Sequence, residues 1–106
     1  MSNCLFCKII AGEIPSAQVH SDEHCVAFKD IHPKAKVHLL VVPRRHIESL
    51  AHVTQSDSEL MGHITVSLRA IAAENGLNNG FRTVINTGVE GGQEVGHLHF
   101  HIMGPV

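Results

Sequence analysis

His97-Leu98-His99-Phe100-His101-Ile102-Met103 alternates imidazole and apolar side chains over seven residues. A period of two belongs to a β-strand. The spacing therefore predicts a strand over 97–103, with His97, His99 and His101 on one face and Leu98, Phe100 and Ile102 anchored in a core on the other. Upstream, His38-Leu39-Leu40-Val41-Val42-Pro43 reads as a strand buried on both faces or nearly so. Two short strands are expected over 17–20 and 25–29, joined by the turn Ser21-Asp22-Glu23, and another over 81–86 after the Asn79-Gly80 turn. A short helix over 5–11 ends at Gly12, before Ile14-Pro15 forces extended backbone. One long helix is expected from Ser56 to Asn75. Ser56 and Glu59 have capping-box spacing, Leu60, Ile64, Leu68 and Ile71 recur at three- and four-residue steps, and Gly76 suits the C′ position. Strands outnumber helices and follow one another through turns, so the fold class is α+β: an antiparallel sheet of about five strands with one long and one short helix.

The 106 residues, 11.5 kDa in all, correspond to a single domain over 1–106, and 43% hydrophobic residues supply one core of modest size. Eight Lys+Arg against ten Asp+Glu give a formal charge of −2. No basic face is implied, which argues against nucleic acid or an anionic membrane as partner. With no Trp, no Tyr and four Phe, a stacking platform for single strands is not expected either. The longest apolar stretch, 39–43, is far too short to span a bilayer. The polar, cysteine-bearing N-terminus lacks the pattern of a secretory signal, so a cytoplasmic location is expected. Ten histidines are the compositional anomaly, and they narrow the field to small-molecule chemistry or metal binding.

Three imidazoles in a row are poor core material, because every ring nitrogen needs a partner. A solvated strand face rarely repeats one polar type three times. A single ion cannot easily take all three, since strand residues four apart are separated by about 13 Å. The remaining reading is chemistry on a bound substrate: imidazole is a good nucleophile at neutral pH and a good leaving group once protonated. The loop Gly88-Val89-Glu90-Gly91-Gly92, followed by Gln93, offers backbone N–H groups and an amide to a phosphate, though alone it would be a plain turn. Cys4 and Cys7 have C-x-x-C spacing, compatible with half a zinc site or a redox pair. A redox pair would follow a strand, and none precedes it. Cys25, the odd third cysteine, reads as a small core hydrophobe.

The triad pattern resembles the signature of the histidine triad (HIT) superfamily of nucleotide hydrolases and transferases. Phe6-Cys7-Lys8-Ile9-Ile10, Glu13-Ile14-Pro15, Ala27-Phe28-Lys29-Asp30-Ile31-His32-Pro33, the stretch from His38 through Arg44-Arg45-His46, and Gly91-Gly92-Gln93-Glu94-Val95 are similar to its Hint branch, the histidine triad nucleotide-binding proteins. The likeness covers almost the whole chain. It implies a HIT-like fold and hydrolysis of adenosine 5′-monophosphoramidate-type substrates through a nucleotidyl-histidine. The alternatives are a dinucleoside polyphosphate hydrolase and a non-catalytic nucleotide- or zinc-binding module. By the resemblance, His99 is the nucleophile, with one ring nitrogen held by a backbone carbonyl, and His101 and His38 flank the phosphate. Asn86, Gly92, Gln93 and the N–H of Val95 hold the phosphate, Asp30 takes the ribose hydroxyls, and Leu5, Phe6, Ile9, Phe28, Ile31 and Leu40 clamp the purine. Cys4, Cys7, His46 and His97 would hold a structural zinc ion, and two copies would form a homodimer. Read without the resemblance, His38 is a satisfied core histidine, Asp30 a turn acid and the apolar six simple core packing. The chain departs from the pattern at Glu94, whose carboxylate is expected to turn away from an anionic substrate. Gly96 stands where a bulky aromatic is common, and only three residues follow Met103, so the leaving-group side is the least specified.

Overall fold

Apolar residues at both parities of the central strands require a sheet covered on both faces. In the computed structural model, which describes residues 3–106, β1 (Gln18–Ser21), β2 (Cys25–Lys29), β3 (Val37–Pro43), β4 (Arg82–Val84) and β5 (Phe100–Gly104) form one antiparallel sheet in the order β1-β2-β3-β5-β4. Met1 and Ser2, the first two residues of the domain expected over 1–106, lie outside the described residues. Two helices, α1 (Leu5–Ile10) and α2 (Ser58–Glu74), cover the sheet. Cys25, Ala27, Leu39, Val41, Phe100 and Ile102 pack with Ile64, Leu68 and Ile71 of α2 in the larger core. The other parity, Val26, Phe28, Leu40 and Val42, packs with Phe6 and Ile9 of α1. Each Val, Leu, Ile or Phe side chain among them contributes about 1.5–3 kcal/mol by leaving water. No helix among the described residues is long and apolar enough to cross a membrane.

The register places the site. Phe28 is opposite Leu40, Leu40 opposite His101, and His101 opposite Val84, so one row crosses the sheet on the α1 side. The expected strand over 97–103 is shorter than its alternation implies, because the ladder begins at Phe100. Pro43 has no N–H to donate, and its carbonyl accepts the His97 ring N–H at 2.9 Å. Residues 97–99 are therefore held elsewhere: Leu98 N–H donates to Ile47 O at 2.7 Å. β4 pairs with β5 over Arg82–Val84, and Asn86 would face His99, which lies before the start of β5.

The long helix also begins differently from its sequence signature. A 3₁₀ turn, Gln55–Asp57, precedes α2, and Asp57 Oδ2 accepts the Thr54 N–H at 2.9 Å. The capping box is thus Thr54 and Asp57, not Ser56 and Glu59. Asp57 is buried and paired with Arg45, which fixes its carboxylate there, and Ser56 Oγ bonds Thr54 Oγ1 instead. At the other end Gly76 (φ +89°) takes the left-handed position. Its N–H donates to Ala73 O and that of Leu77 to Ala72 O, and the buried Leu77 completes the motif.

Candidate active site

His99, although outside the ladder, keeps the alternation and faces α1. It is buried, and its ring meets Phe6 edge-on at 5.1 Å and His101 at the same distance. His99 Nδ1 lies 2.7 Å from the carbonyl oxygen of His97. A carbonyl only accepts, so Nδ1 carries the proton and neutral His99 keeps its lone pair on Nε2. The same logic orders the neighbouring pair. The backbone N–H of Lys34 donates to His38 Nδ1 at 3.0 Å, so the His38 proton is on Nε2, which donates to His101 Nδ1 at 2.9 Å. His101 therefore carries its own proton on Nε2. Asp30 Oδ2 lies 3.4 Å from His38 Nε2, and Asp30 Oδ1 accepts the His32 N–H at 2.8 Å.

Burial pushes His101 down to about 4, with the neighbouring His99 and His38 adding to the shift and Asp30 opposing it. His38 is lowered as well, first by burial, with Asp30 pulling the other way and Lys34 adding to the shift. Both rings are thus neutral at pH 7, as their hydrogen bonds require. Asp30, His38 and His101 bring three donor atoms together, but Lys34 already occupies His38 Nδ1 and the two rings bond each other.

These groups open onto a cleft of about 470 Å³. Leu5, Phe6, Ile9, Phe28, Asp30, Ile31, Leu40, Asn86, Gly92, Val95, His99 and His101 line it together. Phe6, Ile9, Phe28 and Leu40 are buried in its apolar end, while Ile31 is 85% exposed at the rim. His38 lies behind His101 instead of in the wall. Gln93 is not brought to the cleft: its Oε1 accepts the Gly88 N–H, and its Nε2 donates to the carbonyls of Glu48 and Val95. Its amide is spent on shaping the glycine loop, not offered to a ligand. The N–H groups of Gly91, Gly92 and Gln93 also close bonds inside that loop, and Asn86 Nδ2 ties to Gly91 O. Glu94 lines the cleft and also the adjoining groove with His46 and Glu48, and its side chain is exposed. Sequence reasoning missed Lys29 and Lys34, which line the cleft on either side of Asp30. Their place in Lys29-Asp30-Ile31-His32-Pro33-Lys34, flanking Asp30 in sequence, was the available signal.

A second group adjoins the first. Cys4 caps α1, its sulfur accepting the Cys7 N–H at 3.3 Å. His97 Nδ1 is 3.3 Å from Cys4 Sγ and 3.6 Å from Cys7 Sγ, and His46 Nδ1 is 3.3 Å from Cys7 Sγ. The edge of a tetrahedron with zinc–sulfur and zinc–nitrogen bonds of ordinary length is about 3.6 Å, so the four donors fit a zinc ion. His97 Nε2 donates to Pro43 O, which directs the Nδ1 lone pair at the sulfurs, the usual outer-shell arrangement for a ligating histidine. Burial lowers His97, the Pro43 carbonyl opposing and His46 and His99 adding, which keeps it in the neutral form a metal needs.

The α+β sheet, the long and short helices and the histidine row over an apolar cleft together define the class, and comparison with known proteins supplies the family. Residues 3–106 match the family described as scavenger mRNA decapping enzyme C-term binding. The chain is 52% identical over 104 residues to protein HitA of Neisseria gonorrhoeae, covering 98% of this chain and 97% of that one. It superposes with TM-score 0.94 on a HIT family hydrolase from Legionella pneumophila (45% identity; 98% of this chain, 94% of that chain). A histidine triad protein from Clostridium difficile gives the same TM-score (44% identity; 100% and 93%). This chain belongs to the histidine triad superfamily.

Proposed function

We propose that the protein is a purine nucleotide hydrolase of the Hint type, cleaving adenosine 5′-monophosphoramidate-type substrates through a nucleotidyl intermediate on His99 Nε2. The observation that carries the proposal is the 2.7 Å contact between His99 Nδ1 and His97 O, which leaves Nε2 as the nucleophilic lone pair. The purine enters between Phe6, Ile9, Phe28 and Leu40, and Asp30 accepts from the ribose hydroxyls. The N–H of Val95, which makes no hydrogen bond among the described residues, receives a phosphate oxygen. His99 Nε2 bonds to phosphorus as the P–N bond breaks. The leaving nitrogen, hydrogen-bonded by His101 Nε2–H, departs as the amine after taking one proton that enters from solvent. Water then attacks phosphorus, AMP and the proton leave, and His99 returns to its neutral form. His38 and Lys34 hold His101 in the tautomer that presents its N–H. Zinc, when bound by Cys4, Cys7, His46 and His97, supplies a structural cross-link and no chemistry to the reaction.

The test is turnover of a fluorogenic adenosine phosphoramidate compared with a dinucleoside polyphosphate. The phosphoramidate is expected to be the better substrate, and rapid acid quench should trap protein carrying one AMP. His99→Ala is expected to lose turnover while binding AMP within about tenfold of wild type, because the rest of the cleft remains; tenfold is about 1.4 kcal/mol. Near wild-type turnover by His99→Ala excludes the assignment, and a wild type that binds AMP without turnover points to a binding module.

A further inference from the structure

On the α2 side of the sheet, remote in connectivity from the cleft and the Cys4–His97 group, a second set of donor atoms meets at the turn between β1 and β2. The Asp22 N–H donates to Cys25 O at 3.0 Å, and Asp22 Oδ1 accepts the N–H groups of His24 (2.7 Å) and Cys25 (2.9 Å), which completes that turn. Its Oδ2 is not needed there, yet three side chains converge on it: His20 Nε2 at 2.8 Å, His63 Nε2 of α2 at 3.0 Å and Cys25 Sγ at 3.6 Å. We propose that His20 Nε2, Asp22 Oδ2 and Cys25 Sγ form a second metal site, for Zn²⁺ or a similar borderline divalent cation, with an open fourth position.

The three atoms lie within 4.8 Å of one another, as one ion requires. The 3.6 Å separation of sulfur and oxygen matches the tetrahedral edge of about 3.6 Å, and the shorter His20–Asp22 distance is a hydrogen bond that opens when a cation replaces the proton. A mixed nitrogen, oxygen and sulfur set selects zinc-like ions over Mg²⁺ or Ca²⁺, which take oxygen. The carboxylate is held in advance by the two turn N–H groups on Oδ1 and by His63, whose ring meets that of His24 at 4.6 Å. Arg44 is the nearby cation, but it donates to Asp22 O and Ser21 Oγ, away from the carboxylate. Entry is open, since the side chains of His20 and Asp22 are 25% and 27% exposed. Burial and the Asp22 charge push the Cys25 thiol up to about 12, hydrogen bonding to Asp22 adding and Arg44 opposing. Cation uptake therefore displaces one proton from sulfur, while the His20 proton moves from Nε2 to Nδ1 and Asp22 enters already ionised. One proton leaves per ion bound.

Equilibrium dialysis of the full chain against micromolar Zn²⁺, followed by metal analysis, tests the site. Wild type is expected to hold one more ion per chain than His20→Gln and than Asp22→Asn, which keeps an oxygen for the two turn N–H groups. Because the readout is a difference, occupancy of the Cys4, Cys7, His46 and His97 group cancels, and failure of the proposed activity leaves it untouched. Co²⁺ should give a thiolate charge-transfer band that Cys25→Ser diminishes, and titration should release one proton at this site. Thermal melting in chelator establishes that His20→Gln, at a half-buried position, is folded. Equal zinc content in wild type and folded His20→Gln overturns the assignment.

Discussion

At the residue scale the site is an exercise in tautomers. His99 and His38 each have one nitrogen fixed by a backbone group that can only accept or only donate, and His38 passes its order on to His101. His99 presents a lone pair on Nε2 because His97 O accepts its Nδ1–H, and His101 presents an N–H because His38 donates to its other side. The pattern of alternating histidines made their shared face legible, and the resemblance implied a backbone carbonyl on His99; the order of the His38–His101 pair was not legible, because it depends on the Lys34 N–H. His38→Ala should therefore act through His101. Without its donor, His101 is free to place its proton on Nδ1, and kcat is expected to fall by about 10²-fold with KM changed much less. Steady-state kinetics on the fluorogenic phosphoramidate check this, and His38→Gln, which retains an N–H donor, should recover part of the loss. An unchanged kcat in His38→Ala would remove His38 from the account.

At the scale of elements, the short helix and the loops matter more than the strands. β2 has the bounds its apolar run implies, and β3 extends one residue beyond, because core packing on both faces leaves little freedom in register. The ends of β4, β5 and α2 were not legible, since they depend on partners distant in sequence: the Pro43 carbonyl given to His97, and the Asp57 carboxylate held by Arg45. The glycine loop was visible as a loop, while the inward use of Gln93 followed from Glu48, forty-five residues away. The short helix α1 is set over the sheet at its start by Cys4 and Cys7, next to His97 and His46, and within it by Phe6 against His99. Cys7→Ser is expected to lose the zinc ion, leaving about one fewer per chain, and to lower stability by several kcal/mol, on the order that structural zinc provides. The apolar end of the cleft should loosen with it, because Phe6 and Ile9 share that helix. Metal analysis and thermal melting decide the matter: no zinc in protein purified without chelator, with unchanged melting in the variant, removes the site.

At the scale of the whole molecule, β4 is an open sheet edge, and Phe81 beside it and Val66 on α2 remain exposed at 39% and 77%. Pairing of two copies would cover such an edge. Light scattering is expected to give about twice the chain's 11.5 kDa, and a monomer at micromolar concentration would refute pairing. The buried histidines make a further demand on the whole fold. His101 is held near 4, below its ordinary value of 6.5, so the unfolded chain binds a proton there that the folded one refuses. Its burial is therefore without penalty above pH 6.5, and stability falls as the pH drops from 6.5 towards 4, by up to about 1.4 kcal/mol per pH unit and about 3 kcal/mol in total. His38 is shifted in the same direction and adds to the loss. Asp22 is also held below its usual range: burial alone would raise it, but hydrogen bonds from His20, His63 and the His24 and Cys25 backbone outweigh that. Its contribution is lost only at more acid pH, beneath this window. Urea unfolding followed at pH 7.5, 6 and 5 should show a midpoint that falls steadily on the acid side, and His101→Gln should flatten that fall. A midpoint unchanged between pH 7.5 and 5 would mean that His101 can take up its proton in place, and with it that the His38–His101 hydrogen bond does not order the site.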